Sequence, residues 1–284
     1  MLECLHEICL YIGLLYVISS VVHALPKLLL WEKNHFERYG GGWAIITGAT
    51  DGIGLGYCEE LAKRKFNIVM VSRNPDKLQR TAKELEASNP GVQVRTVVAD
   101  FQRSFEEGFF ERIVQEVADL DVSVLVNNIG TLIDIMPFTE HPPEELSREM
   151  NLNLPAMAMM TRLLLPKMLS RKHRSAIITL SSFTTYANFY GGSNYCACKL
   201  YNDIFSRSLQ YEHNNKIDFL SVKPGLVTTP LTRNTTSMFH VDKNQCVKGS
   251  LRSLGHIRDT CGHWSHDIHG LCFELMPNWV GDMI

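Results

Sequence analysis

The chain has 284 residues, 45% of them hydrophobic, and a formal net charge of −2. That is enough apolar material for one sizeable core, and single α/β domains often run to this length. No basic stripe or acidic tail is present, so nucleic-acid binding is not supported; the eight cysteines form no CxxC and no paired framework, which reads as free thiols in a reducing environment.

The first element is "ICLYIGLLYVISSVVHAL", Ile8 to Leu25, with no Asp, Glu, Lys or Arg. It is long enough to span, or nearly span, ~30 Å of hydrocarbon. A cleaved signal peptide fits less well, because Glu3 and Glu7 precede the run and no clear small-x-small site follows. Residues 1–31 are therefore expected to form an N-terminal membrane helix. Lys27, Lys33 and Arg38 follow the run and no Lys or Arg precedes it, which places the remainder in the cytoplasm. A lone sequon, "NTT" at Asn234, is a weak hint to the contrary.

Residues 32–42, with "YGGG", read as a Gly-rich joint, 43–255 as the catalytic domain and 256–284 as a C-terminal extension. In the domain, "WAIIT" (43–47), "NIVMVS" (67–72), "VQVRTVV" (92–98), "SVLVN" (123–127), "AIITLS" (176–181) and "IDFLSV" (217–222) read as buried strands. Helical patterns such as "GLGYCEELAKRK" and "PDKLQRTAKELEAS" alternate with them, the second capped by Asn74 with Pro75 in its first turn. Strict alternation predicts an α/β fold with a doubly wound parallel sheet.

The first strand runs into "TGATDGIGLG". Gly48, Gly52 and Gly54 stand at a strand-to-helix turn, where glycine lets the backbone approach a pyrophosphate and the helix N-terminus attracts its charge. The second strand ends in Ser72 and Arg73 rather than an Asp or Glu, so a 2′-phosphate on the ribose is accommodated and NADP(H) is expected over NAD(H). Asn153 precedes Pro155, which cannot donate to the carbonyl four residues back; the helix should distort there, leaving a gap that a water could use. Further on, Tyr195 and Lys199 of "YCACK" lie at i and i+4 and share a helix face. An ammonium beside a phenol favours the phenolate and suits a general acid or base, although a chance surface pair would look the same.

Together "TGATDGIG", "ADF" (99–101), "NNIG" (127–130), Asn153, "LSS" (180–182), "YCACK" and "PGLVTTP" (224–230) resemble the short-chain dehydrogenases/reductases, from Trp43 to about Leu254. The resemblance implies a Rossmann-type single domain and the catalytic set Asn153, Ser182, Tyr195 and Lys199. Ser182 is preferred to Ser181 because it lies thirteen residues before Tyr195; it would also hydrogen-bond the substrate oxygen. Cofactor contacts are expected from the whole turn, with Thr50, Asp51 and Ile53 beside the three glycines, from Ser72 and Arg73, from Asp100 near the adenine, and from Asn128. Tyr195, Lys199, Val227 and Thr229 would serve the nicotinamide end.

The anchor, "VSRNPDKL", "MMTRLLLPKM" and "TCGHWSHDIHGLCFELMPNW" are similar to the membrane-bound 3-ketoacyl-CoA reductases and 17β-hydroxysteroid dehydrogenases. That implies an NADPH-dependent reductase of a lipid ketone at the endoplasmic reticulum membrane, a 3-oxoacyl-CoA before a steroid, with a catalytically silent NADP(H)-binding scaffold as the rival. A homodimer through the helices after the fourth and fifth strands is also implied. Departures are the end at Ile284, where such enzymes continue, and Gly225, where they carry a bulky residue. No metal is expected: His263, His266 and His269 with Cys261 and Cys272 lack the close pairs of a two-cysteine site. Cys196 and Cys198 point apart on a helix and read as packing, and "AMAMMTRLLLPKM" reads as an adaptable core helix.

Overall fold

The computed structural model describes residues 2–29, 35–186, 189–237 and 239–275. Lys33 and the tail from Met276 to Ile284 lie outside them. In chain order the elements are α1 (Leu2–Leu29), β1 (Trp43–Thr47), α2 (Gly52–Lys63), β2 (Asn67–Ser72), α3 (Pro75–Ser88), β3 (Val94–Val98), α4 (Phe109–Gln115), β4 (Val122–Asn127), α5 (Pro143–Asn153), α6 (Pro155–Leu169), β5 (Ser175–Leu180), α7 (Ser193–His213), β6 (Ile217–Val222), α8 (Lys243–Ser253), β7 (Asp259–Thr260) and α9 (Trp264–Leu275).

The strands form one seven-stranded sheet in the order β3-β2-β1-β4-β5-β6-β7, with every pairing parallel. Two apolar layers cover its faces: Tyr57, Leu61, Phe66 and Leu251 belong to one, Phe101, Phe109, Met160 and Phe219 to the other. Because both faces are buried, β4, β5 and β6 carry no exposed residue at all, which is why they read as continuous apolar runs rather than alternating ones. The strand order reverses between β1 and β4, and such a switch point opens a crevice at the carboxyl ends of the strands.

Among the described residues no helix is long and apolar enough to cross a membrane, so the membrane-spanning helix expected over Ile8 to Leu25 is not supported. That stretch lies within α1, whose Leu10, Ile12, Leu14, Leu15 and Ile18 remain exposed. The helix runs beside α9, and Tyr16 donates its hydroxyl to the Glu274 carbonyl at 2.6 Å.

The Gly-rich joint is more than a connector. Phe36 and Tyr39 enter the core, Tyr39 donates to Asp218 Oδ2 at 2.9 Å, and Arg171 donates to the Tyr39 carbonyl at 3.0 Å. The C-terminal extension is likewise integral, since β7 joins the sheet beside β6. If the joint belongs to the cooperative unit, Tyr39→Phe should lower the urea midpoint by the equivalent of about 1.5 to 3 kcal/mol, the worth of a hydrogen bond to a charged group. An unchanged midpoint would make the joint an appendage.

Candidate active site

The glycine turn is built for close approach. Gly48 and Gly52 have φ of +66° and +48°, and a Cβ on Gly54 would collide with the Gly48 carbonyl oxygen. Asp51 caps α2 by accepting from the Gly52 N–H at 2.9 Å and pairs with Lys77 at 2.5 Å, the latter holding its carboxyl below the usual range although burial acts the other way. Asn128, just after β4, braces the turn by donating from Nδ2 to the Thr47 carbonyl at 2.9 Å.

Gly48, Asp51, Gly52, Ile53 and Asn128 line a cavity of about 770 Å³. Its lining also includes Ser182, Tyr195, Lys199, Val227 and Thr229, so ten of the residues assigned from sequence share one space. Others lie elsewhere. Thr50 and Ser72 are joined by a buried hydroxyl–hydroxyl hydrogen bond of 3.0 Å, tying the turn to the end of β2. Arg73 and Asp100 line a second cavity, of about 740 Å³.

Asn153 stands behind the first cavity at the end of α5. A Cβ on Gly130 would lie 2.7 Å from Lys199 Nζ and 2.8 Å from Asn153 Oδ1, so these two groups flank a backbone that only glycine permits. Asn153 donates to the Thr131 carbonyl at 2.8 Å and accepts from the Thr131 N–H at 3.3 Å. Pro155 does interrupt the helix as expected: α5 ends at Asn153 and α6 begins at Pro155. The freed Asn151 carbonyl accepts from the Ser104 hydroxyl at 3.2 Å.

Tyr195 and Lys199 are buried on α7, with the ammonium 5.6 Å from the phenol ring centre. The expected lowering of the Tyr195 pKa is not seen. Burial pushes the phenol up to about 12 and outweighs a hydrogen bond with Ser182 that favours ionisation, and Glu149 adds to the rise. Burial also pulls Lys199 down to about 8, opposed by Cys198 and Glu149; its ammonium donates to the Leu180 carbonyl at 3.2 Å. At neutral pH the site therefore holds a protonated phenol, the form a proton donor requires.

Sequence reasoning missed several participants. Glu149 is buried one turn before Asn153, accepting from Ile133 N–H at 3.1 Å and Asn194 Nδ2 at 2.7 Å. The C-terminal helix lines the cavity with His266, His269 and Phe273. His266 Nδ1 accepts from the Gly225 N–H at 3.3 Å, and a Cβ on Gly225 would lie 3.0 Å from that ring. The small residue flagged as a departure is thus in close contact with a histidine six residues beyond β7. Among the described residues no cluster of three or more His, Cys, Asp or Glu is placed to hold a metal ion.

Lys199 titrates near 8 in the folded chain against 10.5 ordinarily, so between those values the unfolded chain holds a proton that the folded one has lost, and stability rises with pH. The ceiling is about 1.4 kcal/mol per pH unit. Urea melts of the wild type and Lys199→Met from about pH 7 to about pH 10 should show the wild type gaining on the variant across this window. A pH-independent difference would mean that the ammonium is not desolvated.

The model of the family described as short chain dehydrogenase matches residues 42–239. "Inactive hydroxysteroid dehydrogenase-like protein 1" of Homo sapiens is 35% identical over 266 residues, covering 91% of this chain and 79% of its own. A very-long-chain 3-oxoacyl-CoA reductase of Caenorhabditis briggsae is 31% identical over 265 residues, covering 91% and 83%. Among solved structures, a 3-ketoacyl-(acyl-carrier-protein) reductase from Brucella melitensis complexed with NADH superposes with a TM-score of 0.69 at 23% identity, covering 79% of this chain and 98% of the other. With the glycine turn, the parallel sheet and the Ser182, Tyr195 and Lys199 constellation, these matches establish that the chain belongs to the short-chain dehydrogenase family.

Proposed function

We propose that the chain is an NADPH-dependent reductase of a lipid ketone, with a 3-oxoacyl-CoA as its substrate. The observation that carries this reading is that Ser182, Tyr195 and Lys199 share a largely apolar cavity with the glycine turn. The turn fits a dinucleotide: Gly52 opens α2 at the cavity wall, where helix N–H groups and the dipole favour a pyrophosphate. Arg73, exposed after β2, suits a 2′-phosphate, and no carboxylate stands at Ser72 to repel it. Asp100 in the same second cavity suits the adenosine end.

A bound nicotinamide supplies the hydride. Tyr195 then gives its proton to the carbonyl oxygen while Ser182 holds that oxygen, a preorganised donor worth about 3 to 4 kcal/mol in the transition state. Lys199 holds the ribose hydroxyls, and Asn153 fixes the Thr131 backbone beside it. Leu132, Ile135, Phe183, Leu226, Phe239 and Phe273 line the remaining volume and suit an acyl chain whose polar arm stays outside. A steroid ketone is the second reading, supported because Lys199 is the sole Lys or Arg among the described residues of that lining. A silent scaffold, the reading suggested by the name of the human relative, is disfavoured because Asn153, Ser182, Tyr195 and Lys199 are all present in the sequence.

NADPH consumption should be measured with 3-oxoacyl-CoAs, steroid ketones and a broad ketone panel. Turnover of an acyl-CoA is expected; turnover of steroids alone would select the second reading, and binding without any turnover the scaffold. Tyr195→Phe should lose 10² to 10⁴-fold in turnover with little change in NADPH affinity, whereas Lys199→Met should lose both. Retention of more than about a tenth of turnover by Tyr195→Phe would remove the phenol as donor.

We also propose attachment to the endoplasmic reticulum membrane through α1, supported by its exposed aliphatic side chains, with the reductase domain cytoplasmic. Recovery of the full chain in the soluble fraction after lysis without detergent would refute it. Exposed Leu200, Tyr201 and Ile204 on α7 support the homodimer, which light scattering in mild detergent tests.

A further inference from the structure

Glu149 is a buried carboxylate with an unusual position. It projects from α5 between two walls of the cavity: Oε1 takes the N–H of Ile133, in the segment after β4 that contributes Gly130 and Leu132 to the lining, and Oε2 takes Nδ2 of Asn194, the neighbour of Tyr195. One turn along the same helix, Asn153 holds Thr131 of that segment from both sides of its peptide. Neither bond of the Glu149 carboxylate is to a cation, yet the side chain is 1% exposed. A carboxylate out of water without a compensating positive charge is costly.

A cation that responds to it is Lys199, whose pKa is pulled down by burial while Cys198 and Glu149 oppose the fall. From α7, the titratable groups that feel Glu149 are Tyr195, Cys198 and Lys199. On α5 itself Arg148 is turned to Glu145. The turn at 101–103 presents Arg103, which is bound to Glu106. On α6, Arg162 is exposed and Lys167 donates to the Ala118 carbonyl at 2.5 Å. Among the described residues of these elements, the ammonium of Lys199 and the carboxylate of Glu149 are a buried pair of opposite charge.

We propose that Glu149 is a positioning residue of the active site: its carboxylate clamps the segment after β4 to the first turn of the Tyr195 helix, and it is the buried charge that balances the Lys199 ammonium. The assignment rests on the reductase reading only for its consequence in turnover, because the two effects on Lys199 can be read without a substrate. Removing the charge withdraws support from the ammonium, so Lys199 should lose its proton at lower pH; the phenol, relieved of a nearby anion, should ionise more readily too. Both changes bring the loss of reduction to lower pH.

The decisive variant is Glu149→Gln, which keeps the size and can still hydrogen-bond Asn194 after an amide flip. Cofactor-free urea melts should show the rise of stability with pH beginning about one unit lower than in the wild type, as expected when a nearby opposite charge is removed. The pH at which NADPH affinity, followed by fluorescence, falls off should move the same way. Glu149→Asp retains the charge but not the reach: its titration curves should follow the wild type, while kcat falls. Superimposable pH curves for Glu149→Gln and the wild type would overturn the proposal, whatever the turnover. Should Glu149→Gln not fold, wild-type protein carrying ¹³C at the glutamate carboxyls decides instead. A Glu149 signal, identified by its absence in Glu149→Asp, that responds as Lys199 titrates near 8 supports the pairing; one that stays flat through that range overturns it. A wild type that binds NADPH but reduces nothing would refute the reductase reading and leave these curves to judge Glu149 alone.

Discussion

The ammonium of Lys199, buried at the carboxyl end of β5, is the constraint around which the site is arranged. A desolvated cation is expensive, and its neighbourhood answers that cost with dipoles and charge: the Leu180 carbonyl accepts from it at 3.2 Å, and Glu149 opposes the pull of burial. Space is constrained as tightly as charge. Gly130 must lack a side chain because Lys199 Nζ and Asn153 Oδ1 occupy the place a Cβ would take, and Asn153 reaches that place because Pro155 ends one helix and starts another.

The same arrangement accounts for the state of Tyr195. The i, i+4 spacing puts the ammonium near the ring, but sequence spacing carries no information on dielectric. Burial acts on both groups, raising the phenol to about 12 and lowering the amine to about 8. Two groups pressed toward neutrality form a proton donor with a partly charged neighbour, not a phenolate held by a full cation. Ser182 is the counterweight, since its hydrogen bond favours the ionised phenol, the form that would remain once the proton had moved to a substrate oxygen.

Much of the fold was legible because it is encoded locally. "WAIIT", "NIVMVS" and "IDFLSV" coincide with β1, β2 and β6, since strands covered on both faces require uninterrupted apolar side chains. Asn74 caps α3 as expected, accepting from Lys77 N–H at 2.9 Å. The third run was set two residues too early, because Val92 and Gln93 have the residue types of a strand although the ladder begins at Val94. The two-residue β7 was invisible: Asp259 and Thr260 have no apolar pattern, and Asp259 is held instead by Lys223 at 2.8 Å. Glu149 was missed for a related reason. Amid "PEELSREMN" it looks like one more acid on a charged helix, and only the packing of α5 against α7 distinguishes it from exposed Glu144.

Gly225 and His266 show how a departure from a family pattern can be a compensated pair rather than a loss. The histidine is buried, with Nδ1 accepting from the Gly225 N–H at 3.3 Å and Nε2 3.1 Å from the Phe239 carbonyl. Since Nδ1 is an acceptor, Nε2 must carry the proton, and the ring is used at both ends in its neutral tautomer. Burial lowers the pKa of His266 and protects that tautomer. One side chain thereby pins both limbs of the segment from 225 to 241 to α9, and with it Leu226, Leu231 and Phe239, which line the cavity. A Cβ at 225 would lie 3.0 Å from the ring, so a larger residue there requires the imidazole to give way by a few tenths of an ångström. The glycine and the histidine are therefore one device, and the shape of the apolar half of the cavity follows from it.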